Sequence, residues 1–167
     1  MTEATGAIFD VHFRRRREGK TDYVKRLHHL KSRKTRLIVR RTNRFIIVAF
    51  AQYDPKGDHI IVSRTSKELK KMGFDGKCNV PSAYLTAYWC AKEAQKKNVK
   101  DAILDMGLHA ATKGNVIFAA LKGAVDGGIA IPMGNDIAPS DDRIKGKHLN
   151  ETLQNQFDES KKKIDAS

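Results

Sequence analysis

The chain has 167 residues, which suffices for one domain with a buried core. Its 32 lysines and arginines against 19 aspartates and glutamates give a formal charge of +13, so the composition predicts a polyanionic partner. The longest apolar run, residues 45–51, is too short to cross a bilayer, and the first thirteen residues show no secretory signal. Two cysteines form neither a disulfide framework nor a four-ligand zinc site. We therefore expect a soluble protein of a reducing compartment, with no membrane partner, metal or cofactor.

Most of the positive charge lies in the first quarter of the chain. Residues 1–44 contain fourteen lysines and arginines against four carboxylates, which accounts for +10 of the +13. The densest part is Arg14–Arg17, and guanidinium groups bind phosphate bidentately and stack on bases. The pattern predicts a basic N-terminal arm, residues 1–20, that binds RNA. Phe9 and Phe13 beside the arginines either stack on unpaired bases or dock the arm onto the domain.

A helix and three strands are predicted after the arm. The helix covers residues 21–31, with Thr21 as its N-cap, one apolar face and one cationic face. The strands are predicted at residues 37–39, 45–50 and 59–63. Because only short turns separate them, they should form an antiparallel meander. A brief helix is expected at residues 67–72.

The second half of the chain alternates helices and short apolar segments. One helix begins at Asn79 and extends to about residue 97, and another begins at Gly114 and ends at Gly127. Short apolar strands are predicted at residues 102–106 and 129–131. A short helix is predicted at residues 149–157, followed by a frayed end at 158–167.

This order of elements predicts an α/β (α+β) sandwich. A mixed sheet opens with the three-stranded antiparallel meander, helices pack on it, and an extended basic N-terminal arm precedes it. We assign residues 1–20 to the arm, 21–131 to a single globular α/β domain, and 132–167 to a loop-rich C-terminal extension and tail.

The sequence carries few residues arranged for catalysis, and we expect no enzyme. Gly107 and Gly114 lack the Gly-Lys-Ser/Thr order of a phosphate-binding loop. Lys113 could receive one phosphate at the following helix or belong to a plain capping turn, and both interpretations stay open. The element order also resembles a ribonuclease-H-like fold, whose metal chemistry needs carboxylates on the central strands. The first predicted strand has arginines and no carboxylate, so a nuclease that uses Asp105 is the least favoured alternative.

Several separated blocks of sequence resemble one protein family. The segment Phe-Arg-Arg-Arg-Arg-Glu-Gly-Lys-Thr-Asp-Tyr at residues 13–23, followed by Arg-Leu-Ile-Val-Arg at 36–40, is similar to the archaeal form of large-subunit ribosomal protein eighteen. The resemblance resumes with Asn-Val-Pro-Ser-Ala-Tyr-Leu-Thr at residues 79–86 and Phe-Ala-Ala-Leu-Lys-Gly-Ala-Val-Asp-Gly-Gly at 118–128. It covers about residues 13–149. This is the universal 5S rRNA-binding ribosomal protein family, whose eukaryotic relative is large-subunit protein five.

The resemblance implies a structural protein of the large ribosomal subunit in the cytoplasm, without a small-molecule substrate. Its implied partners are 5S rRNA, 23S rRNA, large-subunit ribosomal protein five and other proteins of the central protuberance. The arm and the basic surface beyond it are expected to contact RNA, and two lysines on the body are weaker candidates. The predicted RNA-binding residues are Phe13, Arg14, Arg15, Arg16, Arg17, Lys20, Thr21, Tyr23, Arg26, Lys31, Arg33, Arg36, Arg40, Lys113 and Lys122. A general RNA-binding chaperone is the main alternative.

Overall fold

Four strands form one mixed sheet. They are β1 (Arg36–Arg41), β2 (Ile46–Gln52), β3 (His59–Thr65) and β4 (Ile103–Asp105). Strand β1 pairs antiparallel with β2 and parallel with β4, and β2 pairs antiparallel with β3, so the order is β3-β2-β1-β4. This arrangement confirms the predicted mixed sheet that opens with an antiparallel meander.

The structure is a computed structural model that describes residues 6–134, 136–149 and 151–166. Residues 1–5 of the predicted arm, and residues 135, 150 and 167 of the predicted C-terminal extension, lie outside the described residues. The helices are α1 (Arg14–Arg17), α2 (Tyr23–Lys31), α3 (Val80–Lys96), α4 (Val116–Asp126), α5 (Asp141–Ile144) and α6 (Glu151–Ala166), with a 3-10 helix at Ser66–Met72. They complete the predicted α+β fold.

Helices α3 and α4 pack against each other and against the sheet. Asn79 caps α3 as predicted, since its side chain accepts a hydrogen bond from the Ser82 N–H at 3.0 Å. An added Cβ at Gly123 of α4 would collide with the carbonyl oxygen of Tyr84, so only glycine allows this close approach of the two helices. The contact buries most of α3 and forms the centre of the core.

The two faces of the sheet have different neighbours. Side chains alternate along a strand, and Leu37 and Val39 of β1 belong to the core that includes α3 and α4. Arg36 and Arg40 therefore lie on the opposite face, where they meet Asp105 of β4. Helix α2 lies over this second face, with Arg26 paired to Asp58 and His29 at 3.9 Å from Asp105. The sheet thus separates an apolar helical layer from a layer of charged residues.

The structure corrects the predicted start of α2. The N-cap is Asp22 rather than Thr21, because the Asp22 carboxylate accepts hydrogen bonds from the N–H groups of Val24 and Lys25 at 3.0 and 3.1 Å. A carboxylate also interacts favourably with the helix dipole, which a hydroxyl does not. Thr21 instead accepts a hydrogen bond from Arg15 Nε at 2.8 Å.

The predictions for the C-terminal part of the chain are also corrected. Helix α6 extends to Ala166, where a short helix and a frayed end were predicted. Phe157, Ser160 and Ile164 of α6 are buried, and the Phe157 ring lies 5.6 Å from the ring of Tyr84. Their spacing is that of one helix face, so α6 docks on α3 and on the 3-10 helix instead of fraying.

The short apolar segment predicted as a strand at residues 129–131 is reduced to one bridge. Ala130 pairs in parallel with Asp101 at this position. The backbone pairing is completed by hydrogen bonds from Ala130 N to Lys100 O and from Ala102 N to Ala130 O, at 3.0 and 3.1 Å. The segment therefore extends the sheet edge without forming a fifth strand in the described residues.

Candidate nucleic-acid interface

The four consecutive arginines form the single helical turn α1, and all four are exposed. Arg14 pairs with Glu18 at 3.0 Å, and Lys20 pairs with the same carboxylate at 2.8 Å. Arg16 and Arg17 have no ion pair within the part of the chain that the structure describes. One carboxylate thus faces a cluster of cations, and most of the positive charge of the arm remains available to an external anion.

Phe13 joins the arm to α2. Its ring lies 5.3 Å from the ring of Tyr23 at the first position of that helix, yet Phe13 keeps 71% of its surface exposed. The contact agrees with docking of the arm onto the domain, and the exposed ring face remains free to stack on a base. Both sequence interpretations of Phe13 are therefore compatible with its position.

Two side chains of α2, which itself has no buried residue, reach carboxylates at the second face of the sheet. Asp58, in the turn between β2 and β3, lies 3.2 Å from Arg26 Nη2 of α2 and 2.7 Å from Arg36 Nη2 of β1. Arg36 Nη1 donates to Asp105 Oδ2 at 3.3 Å. His29 of α2 lies 3.9 Å from the same carboxylate. Two aspartates thus connect the helix next to the arm with two strands of the sheet.

Arg36 does not belong to the exposed basic surface, contrary to the prediction. Its side chain is 1% exposed, because it lies between the two aspartates beneath α2. The 2.7 Å contact with Asp58 has the distance of an ion pair but not the alignment of a hydrogen bond. Within the described ranges, Arg36 Nε and Nη2 consequently have no hydrogen-bond partner. Arg36 is a structural cation that RNA cannot reach in this conformation.

Asp105 is the more heavily bonded aspartate of the network. Its Oδ1 accepts hydrogen bonds from Arg40 Nη2 at 2.8 Å and from the Gly107 N–H at 2.9 Å, and its carbonyl oxygen accepts one from Arg40 Nη1 at 2.6 Å. Burial alone would raise the pKa of Asp105, but the hydrogen bond and charge of Arg40 lower it below its ordinary value. Arg40, which was predicted to contact RNA, is therefore partly committed to this aspartate, with 39% of its side chain exposed.

The same balance applies to Asp58. Burial raises its pKa, whereas the close contact and charge of the Arg36 guanidinium, with a contribution from Arg26, lower the pKa below the ordinary value. Both aspartates are therefore ionised at neutral pH. They neutralise the buried Arg36 and the partly exposed Arg26 and Arg40, so arginines already compensate the charge of both carboxylates.

A cleft of about 630 Å³ opens between the arm, α2 and the ends of β1 and β4. The lysines and arginines in its lining are Arg15, Lys20, Lys25, Arg26 and Arg40. These five cations face two aspartates, Asp22 and Asp105, and the lining also includes Thr21, Tyr23 and His29. The cleft therefore favours an anion, and it continues the basic surface of the arm.

The remaining predicted residues lie outside this cleft. Lys31 and Arg33 are exposed at the end of α2, and Lys113 is exposed in the loop before α4. Lys122 of α4 forms an ion pair with Asp141, whose pKa is lowered by the hydrogen bond and charge of that lysine. None of the four lines the cleft.

Sequence reasoning missed the role of Asp58 and noted Asp105 only as a possible catalytic residue. Asp58 lies in a Pro-Lys-Gly-Asp turn that reads as a simple loop. Its partners are 22 and 32 positions away in the chain, so no local pattern marks it. Lys25 and His29 did carry a signal, since they lie on the cationic face predicted for the helix.

An α+β domain with an exposed arginine turn beside a cationic cleft has the features of a nucleic-acid-binding protein. Within residues 6–134, 136–149 and 151–166, no three His, Cys, Asp or Glu side chains are grouped as ligands for a metal. In the same ranges no helix is both long enough and apolar enough to span a bilayer.

Comparison with known proteins identifies the family. A profile described as ribosomal large subunit proteins 60S L5 and 50S L18 matches residues 7–102 and 94–134. The chain is 54% identical to large ribosomal subunit protein uL18 of Korarchaeum cryptofilum (strain OPF8) over 147 residues, which cover 87% of this chain and 75% of the relative. Identity to the protein of that name from Methanoregula boonei is 51% over 147 residues, covering 87% of this chain and 84% of the relative. For Methanococcus maripaludis it is 48% over 165 residues, covering 96% and 86%.

The chain belongs to this family of large-subunit ribosomal proteins. Its members are structural constituents of the ribosome and not enzymes, so the nuclease alternative is rejected. The predicted location, the large ribosomal subunit in the cytoplasm, follows from this membership.

Proposed function

We propose that the chain binds 5S rRNA and helps attach it to 23S rRNA in the central protuberance, next to large-subunit ribosomal protein five and other proteins of that region. The observation that carries this proposal is the continuity of the exposed α1 arginines with the cationic cleft. This continuous area, Arg14–Arg17 together with the cleft lining, is called the arm surface below. Family membership supports an RNA partner of ribosomal origin.

The arm surface can hold a phosphate backbone by charge. Guanidinium groups form bidentate hydrogen bonds with phosphate oxygens, and Arg16 and Arg17 need not break an ion pair with any described residue to do so. Neutralisation by phosphate also relieves the repulsion between four neighbouring cations. Binding should therefore order the arm relative to the domain, while the ion-paired α2 and the sheet form a rigid platform.

Specificity should come from RNA shape and from unpaired bases. The exposed Phe13 ring and Tyr23 provide aromatic faces beside the arginines. Base stacking on such faces is typical of proteins that recognise single-stranded loops and bulges. Lys31, Arg33, Lys113 and Lys122 remain proposed secondary contacts, since none of them lines the cleft.

The test is a filter-binding titration with 5S rRNA and with an unrelated RNA of equal length over a salt series. If about eight cations contact phosphates, log affinity should fall against log salt with a slope of about −6 to −7. Replacing Arg14–Arg17 with alanine should make that slope less steep by about 3 to 4 and remove most of the preference for 5S rRNA.

A matched control removes four exposed lysines that lie outside the cleft, namely Lys56, Lys77, Lys100 and Lys145, by substitution with alanine. It lowers the net charge equally and should keep the preference for 5S rRNA. Equal affinity of the natural protein for both RNAs would contradict the proposal and would favour the general RNA chaperone. Equal losses in the two variants would show that total charge, and not the arm surface, governs binding.

A further inference from the structure

A second cationic surface lies at the contact between the 3-10 helix and α6. The 3-10 helix contributes Lys67, Lys70 and Lys71, and α6 contributes Lys162 and Lys163. All five lysines are exposed. We call these five residues the lysine surface. It shares no residue with the lining of the cleft.

The fold brings together two lysine runs that are about ninety positions apart in the chain. Ser160 Oγ and Lys163 Nζ both donate to the carbonyl oxygen of Met72, at 3.3 and 3.2 Å. Phe157 and Ile164 of the same helix are 3% and 2% exposed, which fixes α6 against the body. The lysine surface therefore rests on a packed contact between two elements and not on a frayed tail.

The charge of this surface is only partly compensated. Lys67, Lys70, Lys71 and Lys162 form no ion pair with any residue that the structure describes. Glu68, the one carboxylate of the 3-10 helix, is engaged by Arg64 at 3.2 Å and by the Thr65 N–H at 3.0 Å. The exposed carboxylates on the same part of α6 are Asp158, Glu159 and Asp165, and Asp165 is already engaged by Lys92 at 3.4 Å and by the Tyr88 hydroxyl. Five lysines against these three carboxylates leave an excess of positive charge.

The 3-10 geometry aligns part of this charge. Side chains three positions apart in such a helix lie directly above one another, so Lys67 and Lys70 form one ridge. Ser66 and Leu69 form the buried ridge, which leaves the lysines on the side exposed to solvent. Lysine ammonium groups act as point charges that bind phosphate without reading bases.

The lysine surface and the arm surface belong to opposite layers of the molecule. Helix α6 packs on α3, which covers the sheet face that carries Leu37 and Val39. Helix α2 meets the other face through Asp58 and Asp105. One RNA helix bound along the arm would therefore leave the lysine surface open to a second segment.

We propose that the lysine surface binds the phosphate backbone of a second RNA segment, so that the protein contacts RNA from both layers at once. This inference goes beyond the proposed binding of 5S rRNA by the arm surface. It assigns a function to α6, which lies after the last residue matched by the family profile, residue 134. A protein partner with an acidic surface is the competing occupant, and the test below separates the two.

The experiment saturates the protein with unlabelled 5S rRNA and then titrates a fluorescein-labelled RNA duplex of twenty base pairs, followed by anisotropy over a salt series. The triple variant Lys67→Gln, Lys70→Gln and Lys71→Gln should lose at least tenfold in duplex affinity. Its slope of log affinity against log salt should be less steep by about 2 to 3. The control variant Lys56→Gln, Lys100→Gln and Lys145→Gln removes the same charge from exposed positions elsewhere and should change duplex affinity less than twofold.

The same titration on the variant with Arg14–Arg17 replaced by alanine separates this inference from the proposed function. Duplex binding at the lysine surface should persist there, even if 5S rRNA no longer binds selectively. The inference is overturned if the saturated natural protein binds no duplex, or if the two lysine variants lose affinity equally. It is also overturned if poly-glutamate competes with the duplex as well as an unlabelled duplex does, since the surface would then prefer an acidic polypeptide.

Discussion

The substitution Asp105→Asn tests whether the buried ion-pair network holds α2 on the sheet. It removes a charge but almost no volume. Among the residues that the structure describes, it leaves Arg36, whose side chain is 1% exposed, with Asp58 as its only carboxylate. Removing one partner of a buried ion pair costs about 3–5 kcal/mol, because the other charge stays buried without compensation. Since Arg40 is 39% exposed and can be hydrated, we expect the lower end of this range, about 3 kcal/mol.

Asp101→Asn is a matched control four positions earlier in the chain. Asp101 pairs with Lys34 at 3.0 Å, but both side chains are about half exposed. Exposed pairs of this kind contribute about 0–1 kcal/mol. Urea denaturation of both variants at neutral pH, followed by circular dichroism, gives the two free energies of unfolding. Losses that agree within about 0.5 kcal/mol would refute the reasoning, since the buried pair would then be worth no more than the exposed one.

Binding to 5S rRNA is a second measurement on Asp105→Asn. The positioning hypothesis and the change in net charge predict opposite effects on it. The variant has one more net positive charge, so charge alone predicts tighter binding to any RNA. If the network positions α2 and the arm, the preference for 5S rRNA over an unrelated RNA should fall instead. Conditions in which the variant is fully folded, set from its urea curve, keep this measurement independent of stability. A preference equal to that of the natural protein would show that Asp105 stabilises the fold without positioning the arm surface.

Three further predictions concern the stability of the fold at low pH, the docking of helix α6 and the reactivity of the two thiols. Because the folded protein lowers the pKa of Asp58 and Asp105, their stabilising contribution is present above the ordinary aspartate pKa of about 3.9 and is lost as the pH falls through the lowered values. Urea midpoints measured from pH 5 to pH 2 should therefore decline, and a constant midpoint would contradict the assignment. Phe157→Ala should lower the free energy of unfolding by about 3–5 kcal/mol, because the ring is buried; a loss below about 0.5 kcal/mol in urea titrations would mean that α6 is not docked. Burial, with a smaller contribution from the charge of Glu93, raises the pKa of Cys90 to about 12, so an aromatic disulfide reagent should modify at most Cys78 in the native protein and both thiols after unfolding.

Local sequence signals predicted most of the secondary structure. Asn79 marks the start of α3 because its short polar side chain caps the helix, and Gly127 marks the end of α4. Runs rich in strand-forming residues predicted the first three strands, and each of these strands ends two residues later in the structure than predicted. These signals act between neighbouring residues, so they can be seen without knowledge of the fold.

The exposure of the arginines could not be predicted in the same way. Arg33 and Arg36 lie three positions apart in one basic stretch of the sequence, yet Arg33 is exposed and Arg36 is buried. The difference arises because Asp58 and Asp105 approach Arg36 from distant parts of the chain. The high density of positive charge in the first 44 residues predicted that both arginines contact RNA. Only the tertiary structure shows that one of them is buried.

The error at the C-terminus has a related cause. Leu153, Phe157 and Ile164 mark one helix face, but Ser160 interrupts the apolar pattern and three consecutive lysines follow it. In the fold, the Ser160 hydroxyl donates to Met72 and Lys161 packs over the rings of Tyr84 and Tyr88, so these polar groups contribute to docking. Polar residues at a helix interface are satisfied by partners that the sequence pattern does not show.

The aspartates, rather than the arginines, divide the basic residues of this protein into two functional groups. Where a carboxylate from another element comes within ion-pair distance, as at Arg26 and Arg36, the cation fixes one element on another. Where no described carboxylate does, as at Arg16 and Arg17, the charge stays available for phosphate. Under the proposed function we expect both groups to be needed for selective binding, because an exposed cation contributes to recognition only if the element that carries it has a fixed position. A substitution that adds positive charge by removing an aspartate should therefore weaken selectivity, whereas the same substitution at an exposed pair should not.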